Sequence, residues 1–394
     1  MSEVMDVWPE GQPGSGDALE SRAKIEVPGG PPRTLWYRAP EARPDWLTSS
    51  ADPFLIGTLF LAMRHARQLR IHGPVSPSLL RNLEDFQAAW SEWDPKGYRR
   101  VDIRADTEAE EEGAEAAPAA LTFSGGLDSS FSAWRHTRGA DLRARVPIGA
   151  AVMVHGFDIP LAEGEVFARA SARAARLVRS LGLDLVVVAT NAREIVEDWE
   201  STHGAALASC LHFLRRGFSR GMVASSHTYG TLRVPWGSNP ITDPLLSTEA
   251  FPVSYDGAAF SRREKARAVA GWPEAMTLLR VCWEGPEKDR NCGVCVRCVG
   301  TALCFAVEGV PVPPCLGVGS LEGALRGLRR RQLSRPAAAR LGELRDSARA
   351  SGIDASWVTA LDSLLRFQAV ARVPRGVGSR LRALVGGGGE GSGE

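Results

Sequence analysis

The sequence predicts an α/β fold in which a parallel sheet is covered by helices on both faces. Within residues 120–310, short apolar runs alternate with segments whose apolar residues recur at helical spacing. The runs are apolar along their length, as in strands that are buried on both faces. The first of them, residues 120–123, leads through a glycine-containing turn into a helical pattern. In an open sheet of this kind, ligands bind at the carboxyl ends of the strands.

The composition divides the chain into segments around this central unit. At about 150 residues per domain, a chain of 394 residues holds about two or three domains. Acidic or glycine-rich stretches of low hydrophobicity mark tails and linkers. We therefore predict the following order: a disordered tail over 1–21, a small N-terminal α+β domain over 22–104, an acidic linker over 105–119, the α/β domain over 120–315, a helical C-terminal extension over 316–385 and a flexible glycine-rich tail over 386–394.

Local patterns place the individual elements. Ser76 followed by Pro77 is typical of an N-cap and a first helical turn, and apolar residues then fall on one helical face. Strands are predicted at 24–27, 34–39, 69–72, 98–103, 120–123, 147–155, 185–189 and 221–225. Helices are predicted at 52–70, from 77, from 129, at 165–181, at 205–213, from 261, and at 321–333, 337–350 and 357–367.

The charge and hydrophobicity of the chain indicate whether nucleic acid or a membrane is an expected partner. The formal net charge is +1, so the sequence carries no strongly basic footprint for nucleic acid, although a protein or nucleic-acid acceptor stays open. No apolar run reaches the roughly 18 residues that a membrane span needs. Residues 1–20 lack the basic and apolar parts of a signal peptide. We therefore expect a cytoplasmic protein that makes no membrane contact.

The most informative stretch is LTFSGGLDSSFSAW, residues 121–134, which predicts a strand, a tight turn and a helix. Two glycines let the backbone approach a ligand closely. The backbone N–H groups of the turn and the helix dipole favour an anion at one spot, and the aspartate is suited to hold a magnesium ion. A plain β-turn is the alternative. The predicted phosphate cradle consists of Ser124, Gly125, Gly126, Leu127, Asp128, Ser129 and Ser130.

Four of the seven cysteines are spaced like metal ligands. They stand as C-x9-C-x2-C-x2-C and are Cys282, Cys292, Cys295 and Cys298. Closely spaced thiolates can wrap a zinc ion in tetrahedral geometry, and a site with four protein ligands has no open position. We therefore predict a structural zinc site in a reducing compartment. Buried cysteines without metal and an iron–sulfur cluster are the alternatives.

These motifs resemble those of a known family. SGGLDS, residues 124–129, is similar to the SGGxDS signature of the PP-loop ATP pyrophosphatase superfamily (adenine nucleotide alpha hydrolase-like). It differs from the P-loop pattern G-x-x-x-x-G-K-[ST], whose lysine is missing here. Together with C-x(8–9)-C-G-x-C-x-x-C near the end of the same domain, it makes the chain closest in motif pattern to the 7-cyano-7-deazaguanine synthase family.

The resemblance covers residues 120–310 and implies a fold and a chemistry. It implies a Rossmann-like (HUP-type) sheet, with ATP, Mg²⁺ and Zn²⁺ as cofactors. Enzymes of this superfamily cleave ATP between the α- and β-phosphates and leave AMP on a substrate oxygen. By resemblance, Ser124, Asp128 and Ser129 are catalytic, and the backbone near His155 lies against adenine. The chain departs from the synthases in its N-terminal unit, its C-terminal extension and its segment PWGSNPITDP.

The candidates for substrate binding lie at a strand end, in a long loop and at a helix start. They are Asp158, Arg233, Asp243 and Lys265. Asp158 follows the second strand of the α/β domain. The alternative to a binding role is that it lies in a loop with exposed polar residues. The loop over 231–248 is dense in turn formers, and long irregular loops are usually functional; a surface excursion without a role is the alternative. At the helix start, Arg263 or its neighbour can neutralise phosphate charge, or both can lie on a solvated face.

We expect an ATP-dependent, AMP-forming ligase. It would adenylate a carboxylate or amide-type oxygen of a small-molecule or modified-base substrate, and ammonia or an amine would then displace AMP. ATP-dependent sulfur transfer through the same intermediate ranks second, because Cys210 is the only cysteine between the turn and the cluster. A non-catalytic, zinc-containing nucleotide-binding module ranks third. A homodimer is an open alternative to a monomer.

Overall fold

One ten-stranded sheet runs through the computed structural model, which describes residues 3–10, 19–40, 42–139, 143 and 145–371. The strands, in chain order, are β1 (Val4–Glu10), β2 (Glu20–Glu26), β3 (Arg33–Arg38), β4 (Gln68–Val75), β5 (Asp102–Glu108), β6 (Ala119–Thr122), β7 (Ile148–His155), β8 (Asp184–Thr190), β9 (Gly221–Ala224) and β10 (Val253–Asp256). They lie in the order β10-β9-β6-β7-β8-β3-β2-β1-β4-β5.

Helices cover both faces of this sheet. They are α1 (Asp52–His65), α2 (Pro77–Trp93), α3 (Leu127–Thr137), α4 (Gly164–Arg179), α5 (Ala192–Ile195), α6 (Trp199–Phe213), α7 (Arg262–Val269), α8 (Pro273–Leu278), α9 (Val296–Val307), α10 (Leu321–Leu328), α11 (Arg335–Ala350) and α12 (Ser356–Ala371). The predicted α/β class, with a mostly parallel sheet covered on both faces, is confirmed. Among the described residues, no helix is both long and apolar enough to cross a membrane.

The half of the sheet that runs from β10 to β8 sets the position of the site. Strands β10, β9, β6, β7 and β8 are mutually parallel. From β6 the chain moves outward to β7 and β8, then returns to place β9 on the other side of β6. The direction of winding therefore reverses between β6 and β9. A crevice at such a reversal, outside the carboxyl ends of the strands, is where ligands of open α/β sheets bind.

The buried side chains form two cores, one on each face. Successive residues of a strand point to opposite faces, and β7 shows this directly, because Val152 belongs to one core and Met153 to the other. The first core also contains α1, α2 and α6, and the second contains α4 and α7 to α12. Strands that are covered on both faces have to be apolar at every position, which explains the continuous apolar runs in the sequence.

The prediction of a disordered tail over 1–21 is wrong at β1. Met5 and Val7 are fully buried there, and β1 pairs with β2 and β4. The prediction was based on the average composition of residues 1–21, which is rich in Pro, Gly and Ser. That average does not show a strand as short as β1. The predicted separation of an N-terminal domain is corrected as well, because β3 pairs with β8 and the N-terminal strands extend the same sheet.

The acidic stretch over 105–119 is not a free spacer. Residues up to Glu108 belong to β5, which is shifted toward the C-terminus from the predicted strand at 98–103. Glu111 then accepts hydrogen bonds from the Ser49 backbone N–H at 3.0 Å and from Arg215 Nε at 2.7 Å. Arg215 is 3% exposed, so this carboxylate compensates a buried cation. The predicted tail over 386–394 lies outside the described residues.

The helices predicted in the C-terminal extension are confirmed as α10, α11 and α12. Their buried residues, such as Leu325, Leu341 and Leu361, join the same core as α9. The extension is therefore packed into the α/β unit. Its apolar residues at helical spacing are what allowed the sequence to predict it.

Candidate functional site

A cavity of about 780 Å³ lies at the carboxyl ends of β6, β7 and β9. Its wall includes the turn after β6, the loop after β7 and the residues after β9, represented by Ser124, Phe157 and His227. Residues of α6, α7, α9 and α11 complete it. The volume falls within the range of about 300–1,000 Å³ that is usual for ligand pockets. The cavity thus occupies the crevice that the strand order predicts.

The turn after β6 has the backbone geometry of an anion cradle. Gly125 has a φ of +74°, which glycine adopts without strain, and Gly126 is the N-cap residue of α3. The Oγ atoms of Ser124 and Ser129 lie 3.3 Å apart, and the Ser124 backbone N–H donates to Ser129 Oγ at 3.2 Å. The first N–H groups of a helix have no acceptor within it, so those of α3 are available to a ligand.

Two cations bind the aspartate of this turn. Asp128 Oδ2 lies 2.8 Å from Arg262 Nη1, and Oδ1 lies 3.1 Å from Lys265 Nζ. Burial alone would raise the pKa of Asp128, but the charges of Arg262 and Lys265 outweigh it, so this pKa is lowered. Asp128 and Arg262 line the cavity. The predicted magnesium ligand is therefore an ionised carboxylate already held by two positive side chains.

Lys265 does not face the cavity, so its prediction as a substrate-binding residue is corrected. It is 1% exposed and donates to the Ser225 carbonyl oxygen at 2.6 Å and to Ser225 Oγ at 2.9 Å, as well as to Asp128. Three acceptors satisfy its ammonium group. The basic residue of this helix that reaches the cavity is Arg262, whereas Arg263 pairs with Glu308 at 3.5 Å. The sequence indicated the correct helix start but not the correct residue.

Arg280 connects the turn after β6 to the loop after β7, and the sequence analysis did not predict it. Its backbone N–H donates to the Gly125 carbonyl oxygen at 2.8 Å, and its Nη2 donates to the Ser124 carbonyl oxygen at 3.3 Å. The same Nη2 lies 3.3 Å from Asp158 Oδ2. Arg280 is 6% exposed and lines the cavity. Asp158 also lines the cavity, as predicted from its strand end, although Arg280 compensates its charge.

Two residues that were predicted to bind the nucleotide, His155 and Ser130, do not line the cavity. His155 stacks on Phe167 with ring centroids 4.1 Å apart, and its Nε2 lies 3.1 Å from the Pro160 carbonyl oxygen. Burial lowers the pKa of His155, so its ring is neutral at pH 7. Ser130 is fully buried on α3. The loop after β7 is near the site as predicted, but Phe157 and Asp158 face the cavity where His155 does not.

The long loop over 231–248 contributes different residues from those predicted. Asp243 is 1% exposed, and its oxygens accept from Ser238 Oγ at 2.7 Å and from the Asn239 backbone N–H at 3.0 Å. It therefore holds the loop together and does not face a substrate. Arg233 is exposed and lies outside the cavity wall. Trp236 and Ser238 are the residues of this loop that line the cavity.

One wall of the cavity is aromatic. Trp236 packs edge-on against His203, with ring centroids 5.3 Å apart, and against His227 at 5.5 Å. Trp199, at the start of α6, packs on Phe157 at 4.7 Å. These side chains come from four separate segments, so no local sequence pattern predicted them. Aromatic rings in a pocket wall can pack face to face or edge to face with a planar group of a ligand.

The four predicted metal ligands converge. The Sγ atoms of the cysteines lie within 4.8 Å of one another. Cys282 Sγ is 3.5 Å from both Cys292 Sγ and Cys295 Sγ, and Cys292 Sγ is 3.9 Å from Cys298 Sγ. Around a tetrahedral ion with Zn–S bonds of about 2.3 Å, sulfur atoms lie about 3.8 Å apart. The donor set and its spacing therefore fit a metal ion such as zinc.

The cysteine cluster is connected to the cavity through two short segments. Cys295 is the N-cap residue of α9, and its Sγ accepts from the Cys298 backbone N–H at 3.4 Å. The next residues of α9, including Arg297 and Thr301, line the cavity. The guanidinium of Arg297 lies 3.7 Å above the ring of Trp283, the residue after Cys282. A bound metal would therefore fix both segments.

A scan against protein-family models, a search of the curated proteins and a search of the solved structures each found no match to this chain. The residues of the site combine an anion cradle, several arginines, an aromatic wall and a separate cysteine cluster.

Proposed function

We propose that this protein is an ATP-dependent, AMP-forming enzyme of the PP-loop type. The β- and γ-phosphates of ATP would occupy the turn at Ser124–Ser129. A carboxylate or amide-type oxygen of the substrate attacks the α-phosphorus, the bond from that phosphorus to the bridging oxygen breaks, and pyrophosphate leaves. Ammonia or an amine then attacks the activated carbon and loses a proton to solvent, and AMP departs. The product is an amide. If the oxygen of that amide is then adenylated by a second ATP, with pyrophosphate leaving, the nitrogen loses its protons to solvent, AMP departs and a nitrile forms without a second ammonia.

The observation that carries this proposal is the position of the SGGLDS turn. It lies at the carboxyl end of β6, at the point where the strand order reverses, and it opens onto the cavity. Free N–H groups at the start of α3 favour an anion there, and Arg262 and Arg280 add positive charge beside it. A turn with only a structural role has no need of this combination.

The residues have distinct proposed roles. The backbone of the turn and the hydroxyl groups of Ser124 and Ser129 donate to the phosphates, while Arg262 and Arg280 stabilise charge that develops on the pyrophosphate leaving group. Catalysis of this kind depends on positioning and electrostatics, since no side chain forms a bond to the substrate. The cavity is large enough for the acceptor to lie beside the nucleotide against the aromatic wall.

Two metal ions have different proposed roles. Zinc at the cysteine cluster would be structural, because four thiolates leave no open position. Magnesium, when bound, would neutralise phosphate charge, and Asp128 is the carboxylate of the turn that would bind it. Each oxygen of Asp128 accepts from one cation and keeps a further lone pair. A carboxylate held in this way can still contribute one ligand to magnesium.

Sulfur transfer remains the second candidate, and the cysteines favour it less than amide formation. Cys210 is fully buried in the core, and burial raises the pKa of its thiol. Cys304 on α9 lines the cavity, but burial raises its pKa to about 11. A thiol with such a pKa has little thiolate at pH 7 and is a weak nucleophile. The nitrogen nucleophile therefore comes first.

The deciding experiment follows labelled ATP with a panel of carboxylates, each with and without ammonia. We expect AMP and pyrophosphate in equal amounts, with an ammonia-dependent amide product. Ser124→Ala should lower pyrophosphate release, whereas Ser171→Ala should not, because Ser171 is a half-buried serine of α4 outside the cavity wall whose hydroxyl donates to the Ala168 carbonyl oxygen. Formation of ADP and phosphate would overturn the proposal. Tight ATP binding without any turnover across the panel would favour the non-catalytic module.

A further inference from the structure

Three helices present an arginine wall to the cavity. Arg262 at the start of α7, Arg297 in the first turn of α9 and Arg340 in α11 all line it. We call these three residues the arginine wall. Acidic residues of the cavity lining come from the segment that leads into α6 and from its first turn, namely Glu197, Asp198 and Glu200. Arg262 places positive charge beside the turn after β6, because it contacts Asp128.

The members of the arginine wall differ in how their charge is compensated. Arg262 pairs with Asp128 at 2.8 Å. Arg297 pairs with Glu284 and stacks on Trp283. The guanidinium of Arg340 forms no hydrogen bond and no ion pair with any residue in the described part of the chain, and the acidic group Glu343 acts on it only at longer range. It is thus the least compensated of the three arginines.

Arg340 is also held among like charges. Its side chain is exposed at the surface of the cavity, yet partial loss of hydration lowers its pKa first, and the charges of Arg262, Arg233 and Arg297 lower it further. Like charges gathered in this way destabilise the empty protein, because each disfavours the charged form of the others. An anion that binds between them removes this cost. Guanidinium groups suit phosphate, because their donors match its oxygens two at a time.

The position of the wall indicates which anion binds. Arg262 contacts Asp128 in the first turn of α3, so the wall and the N–H groups at the start of α3 border the same part of the cavity. A single carboxylate carries one negative charge, whereas a polyphosphate carries several and can meet the turn and the wall together. The charge count therefore favours a polyphosphate over a carboxylate.

We propose that Arg340 and Arg297 form a second anion subsite that binds the polyphosphate of the nucleotide and the pyrophosphate product together with the SGGLDS turn. This inference rests on the proposed function and extends it to a residue of the C-terminal extension. The subsite would give helix α11 a role in binding. Ala337, Leu341 and Leu344 of this helix line the cavity with apolar side chains, and Arg340 lines it beside them. The extension would then close the phosphate end of the cavity.

The test measures the binding of inorganic pyrophosphate by calorimetry. We expect Arg340→Ala to weaken binding by about tenfold or more, as for the loss of a charged hydrogen bond. Arg340→Lys should restore part of it, because the point charge is kept while the bidentate geometry is lost. The matched control is Arg335→Ala, which removes an exposed arginine of the same helix outside the cavity wall. It should bind pyrophosphate like the wild type.

The outcomes separate this inference from the proposed function. If the wild type binds pyrophosphate and Arg340→Ala binds it equally well, the subsite is refuted while the proposed function stands. Equal losses in Arg340→Ala and Arg335→Ala would also refute it, because net charge alone would then explain the effect. A wild type that binds no pyrophosphate and forms no AMP would overturn both. Circular dichroism of each variant checks that α11 remains folded.

Discussion

The ammonium group of Lys265 lies 3.1 Å from the carboxylate of Asp128 and 2.6 Å from the carbonyl oxygen of Ser225. Asp128 belongs to the turn after β6, and Ser225 follows β9 directly. One buried cation on α7 therefore ties together the two strand ends that border the reversal of the sheet. The shape of the crevice depends on this contact.

Lys265→Met tests the contact. Methionine keeps most of the volume but leaves Asp128 with Arg262 alone and removes the donor to Ser225. Removing one partner of a buried pair typically costs about 3–5 kcal/mol, and Arg262 compensates part of the loss here, so we expect a destabilisation of about 3 kcal/mol. Urea unfolding at pH 7 measures it.

The control for this variant lies two positions earlier. Arg263 pairs with Glu308 at 3.5 Å and is one-third exposed, with a side-chain exposure of 33%. A partly exposed pair contributes about 0–1 kcal/mol, so Arg263→Met should change stability by no more than that. If both variants were equally stable, the buried contact would not be the element that holds the crevice together.

The cradle can be tested by adding a single methyl group. In Gly126→Ala the new Cβ would lie 3.1 Å from Ser124 Oγ, which therefore has to move, whereas Gly164→Ala at the start of α4 meets open space. Gly126 has a φ of −78°, so alanine adds no backbone strain. We expect Gly126→Ala to bind ATP at least about tenfold more weakly, the loss of one charged hydrogen bond, with little change in melting temperature. Equal binding by both variants would contradict the cradle.

Metal removal has a separate expected outcome. Elemental analysis should find one zinc ion per chain, because the four sulfur atoms lie at the spacing of a single tetrahedral site. Cys295→Ser should lower the melting temperature strongly, since metal binding contributes folding free energy. Cys315→Ser is the control, because Cys315 lies outside the cluster. A fully folded protein with no metal and no loss of stability in Cys295→Ser would refute the site.

Asp243 should make stability depend on pH. Burial raises the pKa of this carboxyl from 3.8 to about 7, although the hydrogen bonds from Ser238 and Asn239 lower it. Between these values the folded protein holds a proton that the unfolded chain releases, so the contribution of this group to stability falls as pH rises and is fully lost above about pH 7.

Asp243→Asn removes this titration. Asparagine stays neutral and can still accept from the Asn239 backbone N–H. Between pH 4 and pH 7, we expect the free energy of unfolding of the wild type to fall by up to about 4 kcal/mol relative to that of Asp243→Asn. Urea unfolding of both proteins across that range measures the difference. A difference that is constant with pH would show that Asp243 does not change its protonation state there.

The sequence by itself determined the elements and motifs whose signal is local. A buried parallel strand is apolar over its length, so β6, β7, β8 and β9 were predictable. The glycine turn at 124–129 and the cysteine cluster are each defined by a short stretch of sequence, so both could be recognised from local spacing. The four thiols do converge in the structure. The strand-end rule then placed the cavity at the correct edge of the sheet.

Only the tertiary structure decided which side chains face the cavity. Arg280, Arg340 and Trp199 line it although they are distant in sequence, because β9 returns beside β6 and the C-terminal helices pack on α9. Lys265 and Asp243 are charged residues in the right segments, yet both are buried against neighbouring polar groups. The sequence shows which residues are charged. Whether a charged side chain faces the cavity or the core depends on how distant helices and strands pack together, and no local pattern describes that packing.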